Sequence, residues 1–122
     1  MIFGIGVDLV ENRRLLPWLT QPSLLERYFT AQELQDVRES SHPEASLAAR
    51  FAAKEAFGKA LGCGLRGLSL KEIEVQRSPD GKPSLILAGK PAEVLKRQKV
   101  EKVHLSLSHE KDYAIAFVVL EL

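Results

Sequence analysis

A single cysteine, Cys63, leaves no intrachain disulfide to make and fits a reducing compartment. No apolar run approaches the ~20 residues that cross a bilayer, so no membrane span is expected. Charge of neither sign dominates: 17 Lys and Arg face 16 Asp and Glu. The resulting net charge of +1 gives no general case for a nucleic-acid or membrane partner. The opening segment MIFGIGVDLVENRR lacks the leading basic residues and the cleavage site of a secretory signal, and it meets Asp8 and Glu11 early. Repeats, low-complexity tracts and linkers are missing as well. What remains is 122 residues, 45% hydrophobic and 27% charged, expected to form one cytoplasmic domain over residues 1–122 with a real core.

The pattern predicts a strand from Met1 to Val10, with Met1, Phe3, Ile5, Val7 and Leu9 on the core face. Ile2, Gly4, Gly6, Asp8 and Val10 take the other face, where two glycines leave room for something to approach the backbone. Glu11 to about Leu16 reads as a short helix ended near Pro17, and Pro17 to Pro22 as irregular. Thr30 with Glu33 forms a capping box for a helix running to about Glu39, with Phe29 stapled on Leu34. Pro43 opens a long helix that Gly62 and Gly64 close.

Leu70–Arg77 and Ser84–Ala88 read as strands joined by the turn SPDGKP, and Pro91 opens a short helix. A two-faced strand carries His104, Ser106 and Ser108 against Val103, Leu105 and Leu107. Residues 109–112 turn the chain into a last strand, Tyr113–Glu121, that is apolar on both faces. The fold class expected is α+β, an antiparallel sheet with one long helix and several short ones.

The long helix contains RFAAKEAFGKALG, in which Glu55 shares a face with Ala48, Phe51, Ala52, Gly58 and Lys59. An ionised carboxylate on such a face is costly unless a cation or donors meet it. One answer is an i,i+4 salt bridge to Lys59, and for Asp8 a helix cap after the first strand. The other is that Asp8 and Glu55 share one Mg²⁺, an ion that takes one or two carboxylates and completes its shell with water and phosphate. Arg50, Lys54, Lys59, His104, Ser106, Ser108 and His109 form an inventory suited to phosphate, each with a solvated or structural alternative. No GxGxxG, P-loop or HExxH occurs, and Cys63 between glycines reads as a helix-end residue.

Four blocks, GIGVDLVE, RFAAKEAFGKALGCG, DGKP and HLSLSHEKDYAIAFV, follow one another in the order found in a known family. The sequence resembles the bacterial holo-[acyl-carrier-protein] synthases, the small class of 4′-phosphopantetheinyl transferases. The resemblance implies that family's α+β fold and the transfer of 4′-phosphopantetheine from coenzyme A to a serine of apo-acyl carrier protein, with Mg²⁺ as cofactor. It implies that Asp8 and Glu55 hold Mg²⁺ against the diphosphate, with Lys59 beside it as a third catalytic residue. Arg50 and His109 match positions near the 3′-phosphate, and Gly81, Lys82 and Pro83 a turn passing the adenine. Lys54 and Ser108 complete the expected coenzyme A set.

The resemblance further implies a homotrimer whose active sites lie between chains. Arg13, Arg14 and Arg27 are the candidates to meet the acidic carrier protein, in a segment that Pro17 and Pro22 interrupt. Glu110 departs from the family beside His109. Glu55, acting through a water on the metal, is the first candidate base, ahead of direct proton removal by Glu55 and of a histidine. Two other readings use the same residues: a Mg²⁺-dependent phosphohydrolase, and a non-catalytic α+β binding module whose acids make structural salt bridges.

Overall fold

The computed structural model describes residues 1–122. Strand β1 (Ile2–Glu11) leads through two 3₁₀ turns, Asn12–Arg14 and Leu16–Thr20, into helices α1 (Pro22–Tyr28), α2 (Ala31–Glu39) and α3 (Pro43–Leu61). A further 3₁₀ turn, Leu70–Glu72, precedes the hairpin of β2 (Ile73–Arg77) and β3 (Pro83–Leu87). Helix α4 (Gly89–Arg97) and strands β4 (Lys102–Glu110) and β5 (Tyr113–Glu121) complete the chain. β5 lies between β1 and β4 and is antiparallel to both, while β2 and β3 form a separate antiparallel pair. This is the expected α+β architecture, and no helix is long and apolar enough to cross a membrane.

The capping signals act where the sequence puts them. Thr30 Oγ1 accepts from Glu33 N–H at 3.1 Å, and Thr30 N–H donates to Glu33 Oε1 at 3.0 Å. α3 ends on Gly62 at φ +91°, a left-handed position open to glycine at little cost. Three expectations are corrected. Pro17 and Pro22 do not break the early segment; each sits in the first turn of a helix, where a missing N–H goes unnoticed. Residues 70–72 coil as a 3₁₀ turn before the strand begins at Ile73. β4 continues through Glu110, leaving only Lys111 and Asp112 to turn.

Phe3 packs against the core as expected, but beyond the irregularity between Ile2 and Gly4 the face assignment of β1 is reversed. α3 packs its buried Ala48, Ala49, Ala52, Ala53, Ala56 and Ala60 toward the sheet. A Cβ on Gly4 would overlap the Ala60 carbonyl oxygen, and one on Gly6 would overlap that of Ala56. The glycine face therefore points inward and meets helix backbone, with Val10 buried alongside, while Ile5 (60% exposed), Val7 and Leu9 (59%) point out. Alternation reveals two faces without saying which is covered. Here the closer approach to the helix decides.

β5 follows the same logic in register with β1. Ala114, Ala116, Val118 and Leu120 are buried under α3, whereas Ile115 and Phe117 stand beside Leu9 and Val7 on the open face.

Beneath α2 the core holds one ion pair, Lys54 with Glu33, both fully buried. The Lys54 ammonium donates to Glu33 Oε1 at 2.8 Å, to the Leu70 carbonyl at 2.8 Å and to the Ile73 carbonyl at 2.6 Å. Glu33 Oε2 accepts from Val75 N–H at 3.0 Å. Burial pulls the Lys54 pKa down, and Glu33 opposes that pull. With all three hydrogens donated, the pair ties α2, α3 and β2 together.

Gly6→Ala should separate β1 from α3, because the obstacle is a carbonyl of the helix and not a side chain that can swing away. Urea unfolding should register a loss of about 3 kcal/mol or more, and a loss under about 1 kcal/mol would contradict so close an approach.

Candidate active site

Asp8 lies on the inward face of β1, two residues beyond Gly6 and opposite Ala116 of β5. The Gly6–Ala56 approach sets that point of the strand against the part of α3 that carries Glu55. Lys59, one turn further along α3, reaches across to the strand. Its ammonium donates to Asp8 Oδ1 at 3.0 Å and to the Val7 carbonyl at 3.1 Å. The i,i+4 bridge from Glu55 to Lys59 does not form, and Asp8 caps no helix.

Glu55 is half-buried and receives neither a hydrogen bond nor an ion pair. Its carboxyl titrates above the ordinary glutamate range, raised first by burial and then by the negative charge of Asp8; Lys59 and Arg14 pull the other way. Lys59 thus pairs with Asp8 and leaves Glu55 without an ion pair, and no third acidic, imidazole or thiol ligand joins the two carboxylates. That donor set suits a hard divalent cation that keeps most of its shell for water and phosphate.

A second cavity, about 860 Å³, opens on the other side of α3. Arg50, Arg77, His42, His109 and Lys111 line it together with Asp36, Glu39, Glu44 and Glu110, so its charge is mixed. The Arg50 guanidinium is almost wholly buried. It donates to Ser46 Oγ at 2.6 Å and approaches Asp36 at 3.5 Å, while its Nε has no partner. The His109 imidazole titrates below the usual histidine range, through burial first and then through Arg77 and Arg50. A dianion here would meet two guanidiniums and an imidazole that gains a proton as the negative charge arrives.

The expected coenzyme A set is only partly assembled. Arg50 and His109 share the cavity. Gly81 and Lys82 lie in the β2–β3 turn and Pro83 opens β3 opposite Arg77; Gly81 is at φ +89°, and Arg77 Nη1 donates to the Gly81 carbonyl at 2.9 Å, linking turn to cavity. Two members are corrected. Lys54 is sealed in the core with every hydrogen donated and cannot reach a phosphate. Ser108 lies on the open face of the sheet, opposite in direction to its neighbour His109, because successive strand residues alternate. His104 shares that open face and pairs with Glu121 at 2.9 Å. The acid pair does not line the Arg50–Arg77 cavity.

Beside Glu55 is a small apolar cleft of about 300 Å³, lined by Trp18, Leu24, Tyr28, Phe51, Leu65 and Leu70. The Trp18 ring stacks near Tyr28 at 5.7 Å and meets Phe51 edge-on at 5.5 Å. Arg27 lies 6.0 Å from the Tyr28 ring centroid, and Arg14 is close enough to act on Glu55. Arg13 pairs with Glu11 at 2.8 Å and is otherwise exposed.

A family model described as the 4′-phosphopantetheinyl transferase superfamily matches residues 4–118. The chain belongs to that superfamily. The transferase is 50% identical over 124 residues to a holo-[acyl-carrier-protein] synthase of Treponema denticola, covering 99% of both chains. Its fold superposes on that of the Neisseria meningitidis holo-[acyl-carrier-protein] synthase with a TM-score of 0.91 at 38% identity, over 100% of both chains. The Bacillus anthracis synthase, solved in complex with coenzyme A (3′,5′-ADP), matches with a TM-score of 0.80 at 39% identity, over 99% of this chain and 97% of that one. Family membership therefore rests on sequence and fold together, over nearly the whole length.

Arg77 and the Trp18 cluster are the functional candidates that sequence reasoning missed. Arg77 carries no motif; its one signal is its place just before the SPDGKP turn.

In the metal-free transferase, Glu55→Gln should raise the melting temperature at neutral pH. A carboxyl whose folded pKa exceeds its unfolded value favours folding below both values and opposes it above. The gain should therefore shrink as pH falls through the raised folded value and be gone below about 4, where the unfolded glutamate is protonated too. A lower melting temperature at pH 7 would contradict the charge deficit at this site.

Proposed function

We propose that this transferase moves the 4′-phosphopantetheine arm of coenzyme A onto a serine of apo-acyl carrier protein in the cytoplasm, releasing adenosine 3′,5′-bisphosphate. The observation that carries the reading is the meeting of Asp8, Glu55 and Lys59 where β1 crosses α3. Asp8 and Glu55 would hold Mg²⁺, which when bound offsets diphosphate charge and orients the reacting phosphate. Lys59 adds a mobile point charge for the same diphosphate. The serine oxygen bonds to the β-phosphorus as the bond from that phosphorus to the bridging oxygen breaks, and the bisphosphate leaves with the bond's electron pair. Glu55 accepts the serine proton, being the carboxylate there with no internal partner to give up.

Arg50 and His109 receive the 3′-phosphate in the cavity they share with Arg77, with the Gly81–Pro83 segment alongside for the adenine. The apolar cleft at Trp18, Tyr28 and Phe51 includes Glu55; exposed Arg27 lies beside Tyr28, exposed Arg14 acts on Glu55, and Arg13 is exposed next to Arg14 in sequence. An acidic, amphipathic carrier protein matches that surface in charge and polarity. The acid pair and the Arg50–Arg77 cavity are separate in one chain, and the sheet leaves Ile5, Val7, Leu9, Ile115 and Phe117 uncovered. Both features support a homotrimer, the number implied by the family, in which each site combines groups from two chains.

Incubation of apo-acyl carrier protein with coenzyme A, Mg²⁺ and this enzyme should add about 340 Da to the carrier, the mass of the transferred arm. Asp8→Asn should slow transfer by at least about a hundredfold, as expected for loss of an electrostatic anchor. Mixing Asp8→Asn chains with His109→Ala chains should restore part of the activity if sites are shared. Bisphosphate released at full rate without acceptor would instead identify a hydrolase.

A further inference from the structure

The Lys59 ammonium makes no ion pair with Glu55, its neighbour one turn back on the same helix. It is drawn across to β1, where two of its hydrogens are spent on Asp8 Oδ1 and on the Val7 carbonyl. Its side chain is nonetheless 51% exposed, so it is held by these bonds and not by packing. Asp8 is far less exposed, at 16%, and no other cation pairs with it. The lysine therefore already holds Oδ1 of Asp8, one of the two oxygens that a cation would need from that carboxylate.

We propose that Lys59 is the resident counter-ion of Asp8 in the ligand-free protein, and that it competes with the divalent cation for that carboxylate. This rests on the metal reading above and deepens it. With Asp8, Glu55 and Lys59 charged, the cluster carries one net negative charge. A dication added without substrate would turn the cluster positive and press on an ammonium already in place. A diphosphate reverses the balance by offering Lys59 a new acceptor and freeing Asp8. Metal and coenzyme A then bind with positive coupling, and by linkage each strengthens the other by the same factor. The arrangement works against metal loading until the diphosphate arrives.

The test counts free Mn²⁺ by electron paramagnetic resonance during titration of the full chain, with and without coenzyme A. Without coenzyme A, Lys59→Met should bind Mn²⁺ about two- to fivefold more tightly than the parent, the scale of a partly exposed ion pair. Lys59→Arg, which keeps the charge, should stay near the parent. The factor by which coenzyme A tightens Mn²⁺ binding should shrink in Lys59→Met. Thermal melts check that each variant is folded, and Lys59→Gln serves as a second neutral variant. Equal or weaker Mn²⁺ binding by folded neutral variants, with binding lost in Asp8→Asn, would overturn the competition while leaving the metal site in place. Mn²⁺ binding indifferent to Asp8→Asn even with coenzyme A would overturn the metal reading and this proposal with it.

Discussion

The contact of α3 with β1, backbone against backbone at Gly4 and Gly6, sets the rest of the structure. Side chains at those two positions would strike the carbonyls of Ala60 and Ala56. Their absence lets the helix lie so close that alanines suffice to fill the layer between helix and sheet. Two consequences follow at once. The apolar residues of β1 are turned away from the helix to the open face of the sheet. Asp8, next on the inward face, is carried up to Glu55, and two acids that repel each other are held together by a contact in which neither takes part.

Two lysines on α3 show how differently one helix can use the same residue type. Lys54 is anchored inside by Glu33 and two carbonyls, and it gives α3 a fixed attachment to α2 and β2. Such a pair is weak evidence for net stability, but removing one partner strands the other in the core. Lys59 is half exposed and held by two bonds at its tip, which suits a charge that has to move. The rigid lysine fixes the helix; the mobile one serves the acids that the helix positions.

Local signals were legible in the sequence because their physics is local. The capping box at Thr30 and Glu33, Pro43 at the start of α3 and Gly62 at its end all lie where their residues direct. The Asp8–Glu55 pair could be suspected because each acid sits on an otherwise small or apolar face. The direction of the β1 faces was not legible, since alternation is symmetric until a partner element breaks the symmetry. Lys54 looked like a phosphate ligand because its partner Glu33 is 21 residues away and already explained as a cap. Ser108 was misplaced by grouping it with His109, although adjacent strand residues point oppositely. Arg77 escaped because only the folding of the β2–β3 hairpin brings it to Arg50 and His109.

The central claim is that one divalent cation sits between the two acids that the glycine contact brings together. Crystals grown with coenzyme A and Mn²⁺, measured at a wavelength where manganese scatters anomalously, would locate that ion directly. The account requires an anomalous peak within coordinating distance of both Asp8 and Glu55 and against the diphosphate, with Lys59 turned from Asp8 to the phosphate oxygens. A manganese peak elsewhere on the diphosphate, with Lys59 still bonded to Asp8, would contradict it.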